Sequence, residues 1–156
     1  MQQRMKEHPL TDAQIHALLC ASTVGTLATL DSDGAPYALP VHFVWEDGNI
    51  YIHGLPQGQK LDNIARDGRV SFMTYRMDGL LMPDNDIPCD VNTRYESVVI
   101  RGAASLVEDE ERKVAILRRI VAKYTPRLKD HPLPPAMVAG TAVIEVTPVS
   151  ITGKYY

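Results

Sequence analysis

The chain has 156 residues, of which 45% are hydrophobic and 22% are charged, with a formal net charge of −3. This length and composition predict one globular domain, residues 1–156, that buries a core without disulfides or structural metal ions. The acidic balance excludes the basic footprint of a nucleic-acid-binding protein, and no stretch approaches the roughly 18 apolar residues that a membrane span needs.

The first third of the chain predicts a helix followed by antiparallel strands. The capping-box sequence Thr11–Gln14 marks the start of a helix over about 12–20. Runs rich in β-branched residues then predict three strands, over residues 24–30, 37–45 and 49–53. The turn sequences Asp31–Gly34 and Asp47–Gly48 separate these strands and indicate a β-meander. Because proline donates no hydrogen bond, Pro40 places the second strand at a sheet edge or makes it locally open.

The remaining two thirds of the chain predict more strands between helices. Strands are expected over residues 69–75, 94–107 and 141–146, with a continuation of the last one to 151 left open. Helices are expected over 58–67 and from the acidic run at 108–111 to Pro126. Residues 77–92 form the longest predicted loop, of the kind often used for binding. Since strands dominate and most connections are too short for parallel crossovers, the predicted fold is mainly β, an antiparallel barrel of six or seven strands with peripheral helices.

The segment from Gly54 to Lys60 carries the features of a phosphate site. Gly54 and Gly58 let the backbone approach an anion closely, free N–H groups at the start of the following helix favour negative charge, and Lys60 adds a positive charge. The segment matches neither a Walker A loop nor a GxGxxG fingerprint. A glycine loop before a helix with a lysine is also common in proteins that bind no phosphate, so these residues alone leave both interpretations open.

Several short segments, taken in their order along the chain, carry a family resemblance. They are VGTLAT at 24–29, DGAPY at 33–37, LPV at 39–41, IYIHG at 50–54, GQKLDNI at 58–64, VSF at 70–72 and YESVVIRG at 95–102. In this order they resemble the pyridoxamine 5′-phosphate oxidase-like FMN-binding split barrels, and among these the nitroimidazole-resistance branch. The resemblance covers roughly residues 11–107, with a weaker echo at 151–154.

The resemblance implies an FMN cofactor and a site shared between two copies of the chain. It implies that the backbone of Leu39, Pro40 and Val41 faces the flavin ring, that His53 and Gly54 lie beside the cofactor, and that Gly58, Gln59 and Lys60 hold its phosphate. In this family the ring lies at a dimer interface, so a homodimer is expected. Tyr95, Ser97 and the 77–92 loop are the residues that the second chain would contribute.

His53 is the predicted catalytic residue. In the nitroimidazole-resistance branch a histidine at this place lies close to the flavin, and such a group could deliver a proton or bind an anionic substrate. The alternative is a strand histidine bonded to a neighbouring carbonyl. The segment Tyr37–His42 contains no Arg or Lys, unlike the basic Arg-x-Val-Leu-Leu-Lys strand of true pyridoxamine 5′-phosphate oxidases, so oxidation of pyridoxamine phosphate is not expected.

The leading hypothesis is an FMN-dependent reductase of small molecules. The alternatives are a non-catalytic flavin-binding or redox-sensing protein, a split barrel that binds haem or a deazaflavin, and a barrel that has lost its cofactor. Haem needs an axial ligand, for which His53 or His42 could serve. No His/Asp/Glu spacing predicts a metal site.

The two cysteines and the N-terminus bear on the expected location. Cys20 and Cys89 form no CxxC pair, and Cys20 lies in an apolar run that predicts a buried thiol. Residues 1–6 lead into no apolar segment of the kind that a signal peptide contains. A cytoplasmic protein is therefore expected, with a small-molecule substrate and neither nucleic acid nor membrane as a partner.

Overall fold

The computed structural model describes residues 7–85 and 87–156, so the N-terminal residues 1–6 lie outside the description. The strands are β1 (Gly25–Leu30), β2 (Pro36–Val41), β3 (Val44–Glu46), β4 (Asn49–Gly54), β5 (Arg69–Leu81), β6 (Asn92–Leu106) and β7 (Ala142–Tyr155). The helices are α1 (Asp12–Ala21), α2 (Gln59–Arg66), α3 (Glu110–Tyr124) and α4 (Pro135–Ala139), with short 3₁₀ turns at Pro88–Asp90 and Pro126–Leu128.

One antiparallel sheet of seven strands, in the order β2-β1-β5-β6-β7-β4-β3, forms the body of the molecule. Its two edge strands, β2 and β3, are joined by only His42 and Phe43. Because so short a connection keeps both edges of the sheet together, the sheet must curl into a barrel that is closed there by the chain instead of by ladder hydrogen bonds. The predicted mainly β, antiparallel barrel with peripheral helices is confirmed.

Side chains from nearly every strand fill the barrel. Leu27, Phe43, Ile52, Phe72 and Ile100 are buried within one cluster, which also includes Leu18 and Leu19 of α1 and Leu61 and Ile64 of α2. The capping box at Thr11 and Gln14 that starts α1 is formed as predicted. The burial of Leu61 and Ile64 fixes α2 against the barrel, and it thereby fixes the loop between β4 and α2.

A second apolar cluster lies outside the barrel, between α3 and the β3-β4-β7 end of the sheet. Its buried residues are Val44, Tyr51, Ile116, Leu117, Ile120, Val138 and Val143. The amphipathic pattern predicted for the helix after residue 108 is therefore the face with which α3 covers the sheet. The predicted turn at Asp47–Gly48 connects β3 to β4, and both residues have positive φ angles, 50° and 79°.

The single strand predicted over 37–45 is wrong, because the chain leaves the ladder at His42 and Phe43. The backbone of Phe43 is satisfied by α3 instead. Its N–H donates to the hydroxyl of Tyr124 at 2.8 Å, and its carbonyl accepts from that hydroxyl at 2.7 Å and from Nζ of Lys123 at 3.1 Å. The predicted edge position of the strand that carries Pro40 is confirmed, since β2 pairs only with β1.

Two other boundaries differ from the predictions because bulges let strands continue. β5 runs on to Leu81 through a register shift between Met77 and Gly79, so the predicted 77–92 loop is shorter, with the irregular part confined to residues 82–91, of which 86 lies outside the description. β7 continues to Tyr155 through a second shift opposite Arg101 and Gly102, and Val149 at that shift is 82% exposed.

The α4 helix was not predicted, because its Pro-rich flanks indicate a plain connection. Cys20 is exposed and not buried, whereas its neighbours on α1, Leu18 and Leu19, are in the core. In the described ranges no helix combines the length and apolar character required to cross a membrane.

Candidate functional site

The loop between β4 and α2 forms the start of the candidate site. Gly58 caps α2 with φ 128° and ψ 165°, a conformation that only glycine adopts readily. The amides of Leu61 and Asp62 donate to the Gly58 carbonyl, so the amides at this helix start that a ligand could use are those of Gln59 and Lys60. The predicted loop and helix start at Gly58–Lys60 are thus present, and their use as an anion site stays a prediction.

Lys60 reaches back over the end of β4. A Cβ atom at Gly54 would lie 3.1 Å from Lys60 Nζ and 3.4 Å from its Cε. The Lys60 ammonium group therefore lies against the backbone of Gly54, between the end of the strand and the start of the helix.

His53 lies one residue before Gly54 and is half-buried. Its Nδ1 atom is fully enclosed, and among the described residues it finds no hydrogen-bond partner. Burial lowers the pKa of His53, and the charges of His42 and Lys60 lower it further. The ring is therefore neutral at physiological pH, and a buried nitrogen without a partner costs about 1–3 kcal/mol that a bound ligand could recover.

His42 lies in the break between β2 and β3. Its ring stacks on that of Tyr124, with 4.6 Å between centroids and 21° between planes. A cavity of about 280 Å³ is lined here by Val24, Pro40, Val41 and His42. Tyr124 therefore contacts His42, which lines this cavity, by stacking, and it bonds to the backbone of the next residue, Phe43.

A second cavity of about 380 Å³ lies beside His53. It is lined by His53, Gly54, Leu55, Ala136, Met137, Gly140 and Thr141. The last four belong to α4 and the residues after it, and sequence reasoning missed them. The only signal was the Gly140-Thr141 pair after a Pro-rich run, which is typical of many connections.

The three β2 residues predicted to face the flavin divide between two sides of the strand. Val41 is buried and Leu39 packs against the barrel core, whereas Pro40 is exposed on the outer surface. Because β2 is an edge strand, its outer backbone groups have no neighbouring strand within residues 7–85 and 87–156. The edge is therefore available to a ligand through its backbone.

Tyr95 and Ser97 lie on β6, in the middle of the sheet order and not beside the β4–α2 loop. The Tyr95 ring is 5.7 Å from that of Tyr75 and 5.6 Å from Lys154 Nζ. Ser97 pairs in register with Tyr75 and Lys154. Within one chain these contacts belong to the outer face of the sheet, so the structure brings His42, His53 and Lys60 together but leaves Tyr95 and Ser97 apart from them.

The arrangement suits an organic phosphate that carries a planar ring system. A glycine-capped helix start and an ammonium group can hold an anion, an open strand edge can receive ring hydrogen bonds, and the unpaired Nδ1 of His53 can bond to a ligand. The residues present therefore fit a flavin phosphate.

Comparisons with known proteins identify the class to which this fold and site belong. The sequence model of the pyridoxamine 5′-phosphate oxidase family matches residues 11–155, so the chain belongs to this family. The split-barrel family inferred from the sequence resemblance is thereby confirmed.

A reductase and one solved structure are each more than 25% identical to this chain. A 5a,11a-dehydrotetracycline/5a,11a-dehydrooxytetracycline reductase from Streptomyces rimosus is 33% identical over 100 residues, which are 62% of this chain and 63% of the reductase. The matched part thus spans less than two thirds of the relative. A candidate 5-nitroimidazole antibiotic resistance protein from Bacteroides thetaiotaomicron is 26% identical with a TM-score of 0.77, over 94% of this chain and 85% of that one.

One further solved structure agrees in fold. The FAD- and haem-binding protein from Mycobacterium smegmatis has a TM-score of 0.83 at 18% identity, over 93% of this chain and 71% of that chain. At this identity the likeness concerns the fold alone.

Proposed function

We propose that this protein binds FMN and uses it to reduce small conjugated molecules. The observation that carries the proposal is that Lys60, Gly54 and His53 lie at one loop. There the Lys60 ammonium group and the start of α2 adjoin a cavity and the buried Nδ1 of His53, which has no hydrogen-bond partner among the described residues. When bound, the flavin supplies hydride or electron transfer, and the protein supplies binding and orientation.

Each part of the proposed site has a separate task. The amides at the start of α2, the close backbone approach at Gly58 and the charge of Lys60 would hold the phosphate. The open edge of β2 at Leu39–Val41 would receive the ring. His53, neutral and half-buried, would donate a ring N–H to the substrate, which orients it and stabilises the negative charge that develops on reduction. The proton that the reduced product needs would come from solvent.

The second copy of the chain completes the site in this proposal. One register row crosses the outer face of the sheet from Pro40 through Thr26 and Met73 to Val99 and Thr152. Met73 and Val99 are exposed apolar side chains. The proposed flavin edge at Pro40 and this apolar surface therefore share one face, and a dimer through that face would bring the partner's β6, with its Tyr95 and Ser97 positions, towards the ring.

Reduction is favoured over pyridoxamine phosphate oxidation by the residues of β2 and by the relatives. β2 contains neither Arg nor Lys, so it offers no cation for a second phosphate. The Streptomyces rimosus relative is a reductase of a dehydrotetracycline, and the Bacteroides thetaiotaomicron neighbour is a candidate for 5-nitroimidazole resistance. Both names point to conjugated electron-poor substrates.

A second candidate cofactor set is FAD with haem, which the Mycobacterium smegmatis neighbour binds. His42 would be the axial ligand in that case, because it is exposed at the cavity beside β2. The absorption spectrum of the purified protein distinguishes the two candidates, since haem gives a Soret band and FMN alone does not.

Anaerobic turnover tests the proposed activity. The protein is loaded with FMN, reduced with dithionite and mixed with a 5-nitroimidazole or with a conjugated cyclic enone. We expect the bound flavin to be reoxidised by at least one of these faster than free reduced FMN is, and His53→Ala to lower the rate by ~10²-fold or more while FMN stays bound. Reoxidation of the loaded protein no faster than that of free flavin with either substrate would leave a flavin-binding protein without this activity.

A further inference from the structure

The cavity beside His53 is lined by the end of β4 and by α4, and each contributes an exposed apolar side chain. Leu55, directly after β4, is 72% exposed, and Met137 of α4 is 67% exposed. In the described part of the chain only Val149 and Met82 are large apolar side chains with comparable exposure. Two such side chains at one cavity form an apolar surface that a bound ligand would cover.

The α4 side of the cavity has a fixed backbone. Val138 is buried in the apolar cluster beneath α3. Because neighbouring residues on a helix point about 100° apart, the burial of Val138 turns Met137 away from α3. The Thr141 hydroxyl donates to the Met137 carbonyl at 2.7 Å, and the Gly140 amide donates to the Ala136 carbonyl at 3.0 Å. The size of the Met137 side chain therefore sets the room in the cavity.

The lining favours an uncharged ligand. No Asp, Glu, Lys or Arg is among the described residues that line the cavity, and Lys60 adjoins the Gly54 backbone without lining it. The proton of the Thr141 hydroxyl is used by the Met137 carbonyl. The neutral His53 ring, with one N–H, is therefore the side chain that can donate to a ligand. A charged ligand would lose hydration here without gaining an opposite charge.

The volume of the cavity limits the size of the ligand. About 380 Å³ corresponds to about 13 water molecules at about 30 Å³ each. Molecules with one or two rings have about this number of non-hydrogen atoms, whereas a four-ring system has more. The cavity therefore fits a small ring compound that is mostly apolar and brings one hydrogen-bond acceptor to His53.

We propose that this cavity is the substrate pocket and that Met137 is its specificity-determining residue. The pocket takes an uncharged conjugated molecule of one or two rings, with the ring against Leu55 and Met137 and a carbonyl or nitro oxygen at His53. The assignment rests on the proposed function for the reaction that follows binding. Occupancy of the cavity itself is measured without turnover.

Methyl NMR of protein that carries ¹³C in its methionine methyl groups tests this occupancy. Met137→Ala assigns the Met137 signal by its loss. The probes are 1-naphthamide, which is uncharged and has two rings, 1-naphthoate, which adds a negative charge to the same frame, and pyrene-1-carboxamide, which has four rings. We expect a saturable shift of the Met137 signal with 1-naphthamide, at a Kd ~10-fold or more below that of either other probe. No shift with 1-naphthamide, or equal or tighter binding of 1-naphthoate, would overturn the inference.

Substitutions of Met137 test the size limit, with affinities measured by calorimetric titration. Met137→Trp should fill the cavity and weaken 1-naphthamide binding by ~10-fold or more. Met137→Ala should open it and reduce the preference for 1-naphthamide over pyrene-1-carboxamide by ~10-fold. Val149→Trp places the same ring at another exposed apolar position and should change neither affinity. An unchanged 1-naphthamide affinity in Met137→Trp would contradict the role given to this residue.

FMN titration of Met137→Trp separates this inference from the proposed function. We expect FMN affinity equal to that of the parent, because the proposed phosphate site lies at Gly58–Lys60. Loss of FMN binding would make the cavity part of the cofactor site and overturn its assignment to the substrate. If the parent binds no FMN, the proposed function fails, and the 1-naphthamide result still decides whether the cavity is a ligand pocket.

Discussion

At the scale of single residues, the loops depend on glycines whose backbone conformation other residues do not adopt readily. Gly58 and Gly34 both have positive φ angles, 128° and 87°, and a Cβ at either would meet open space. Alanine at either position should therefore cost about 1–3 kcal/mol in the free energy of unfolding through backbone strain alone. Only Gly58 lies at the proposed phosphate site.

The two substitutions separate strain from ligand binding. Gly58→Ala should lower both stability and FMN affinity, whereas Gly34→Ala should lower stability alone. Urea denaturation and flavin fluorescence titration measure the two effects. An equal FMN affinity in the two variants would mean that Gly58 has no part in phosphate binding.

His53 predicts how stability depends on pH. Its pKa in the folded chain is lowered by burial and by the neighbouring charges, so between that value and the unfolded value of about 6.5 the unfolded chain binds more protons. The stability that neutral His53 contributes is therefore fully present above about pH 6.5, and it is lost as the pH falls from there through the pKa of the folded chain. His53→Asn removes this titration, and its unfolding free energy should fall less between about pH 7 and pH 5 than that of the parent.

Chemical denaturation at several pH values measures this dependence. His131→Asn, at an exposed histidine, serves as the control and should keep the parent's slope. A His53→Asn variant with the same acid slope as the parent would show that His53 is not held neutral by the fold.

At the scale of elements, two side chains of α3 bond to the backbone at the break between β2 and β3, and of these Tyr124 alone accepts from the Phe43 N–H. The hydroxyl of Tyr124 accepts from the Phe43 N–H at 2.8 Å and donates to the carbonyl of Phe43 at 2.7 Å or of Thr23 at 2.8 Å. Tyr124→Phe keeps the stacking on His42 but leaves the Phe43 N–H without its acceptor, which should cost about 1–3 kcal/mol.

Urea denaturation of Tyr124→Phe measures this cost. Tyr37→Phe removes the same atom from a half-buried tyrosine on β2 and should change stability by much less. If both variants lost equal stability, the break would not depend on the Tyr124 hydroxyl.

The same break shows why sequence patterns located the strands but not all of their ends. The run from Tyr37 to Trp45 is apolar throughout, and a local pattern cannot reveal that Tyr124, 81 residues after Phe43, takes over its backbone hydrogen bonds. The extensions of β5 and β7 also depend on bulges, at Asp78 and Val149, the residues that the strand registers leave unpaired. Elements with local signals, such as the capping box before α1 and the Asp47–Gly48 turn, were predicted correctly.

In the candidate site, too, the residues that are close in sequence were predictable, and the contacts between distant segments were not. Gly54, Gly58 and Lys60 are close in sequence, so their proximity follows from a strand-loop-helix pattern. The stacking of His42 on Tyr124 and the contribution of Met137 to the cavity beside His53 join distant parts of the chain, and no local signal reports them.

At the scale of the whole molecule, the outer face of β5 and β6 predicts self-association. Met73 and Val99 are paired neighbours on this face, 39% and 36% exposed. Val99→Lys would place two unpaired charges at a symmetric interface, at a cost of several kcal/mol. We expect this variant to be monomeric and to lose FMN.

Light scattering after size exclusion, together with flavin content, tests this prediction. Val149→Lys puts the same charge on the exposed bulge of β7 and should leave both properties unchanged. A Val99→Lys monomer that still binds FMN would show that the flavin site lies within one chain, and an unaffected dimer would place the interface elsewhere.

The central claim, that the loop between β4 and α2 holds a flavin phosphate, is tested most directly by comparing FMN with riboflavin. The two ligands share the ring and differ by the phosphate, which Lys60 is proposed to hold. Lys60→Gln should weaken FMN binding by ~10- to 100-fold, the worth of a charge-assisted hydrogen bond, and leave riboflavin binding unchanged. Lys129→Gln, at an exposed lysine, should alter neither. Equal FMN affinity in the parent and Lys60→Gln, or no FMN binding by the parent, would contradict the account.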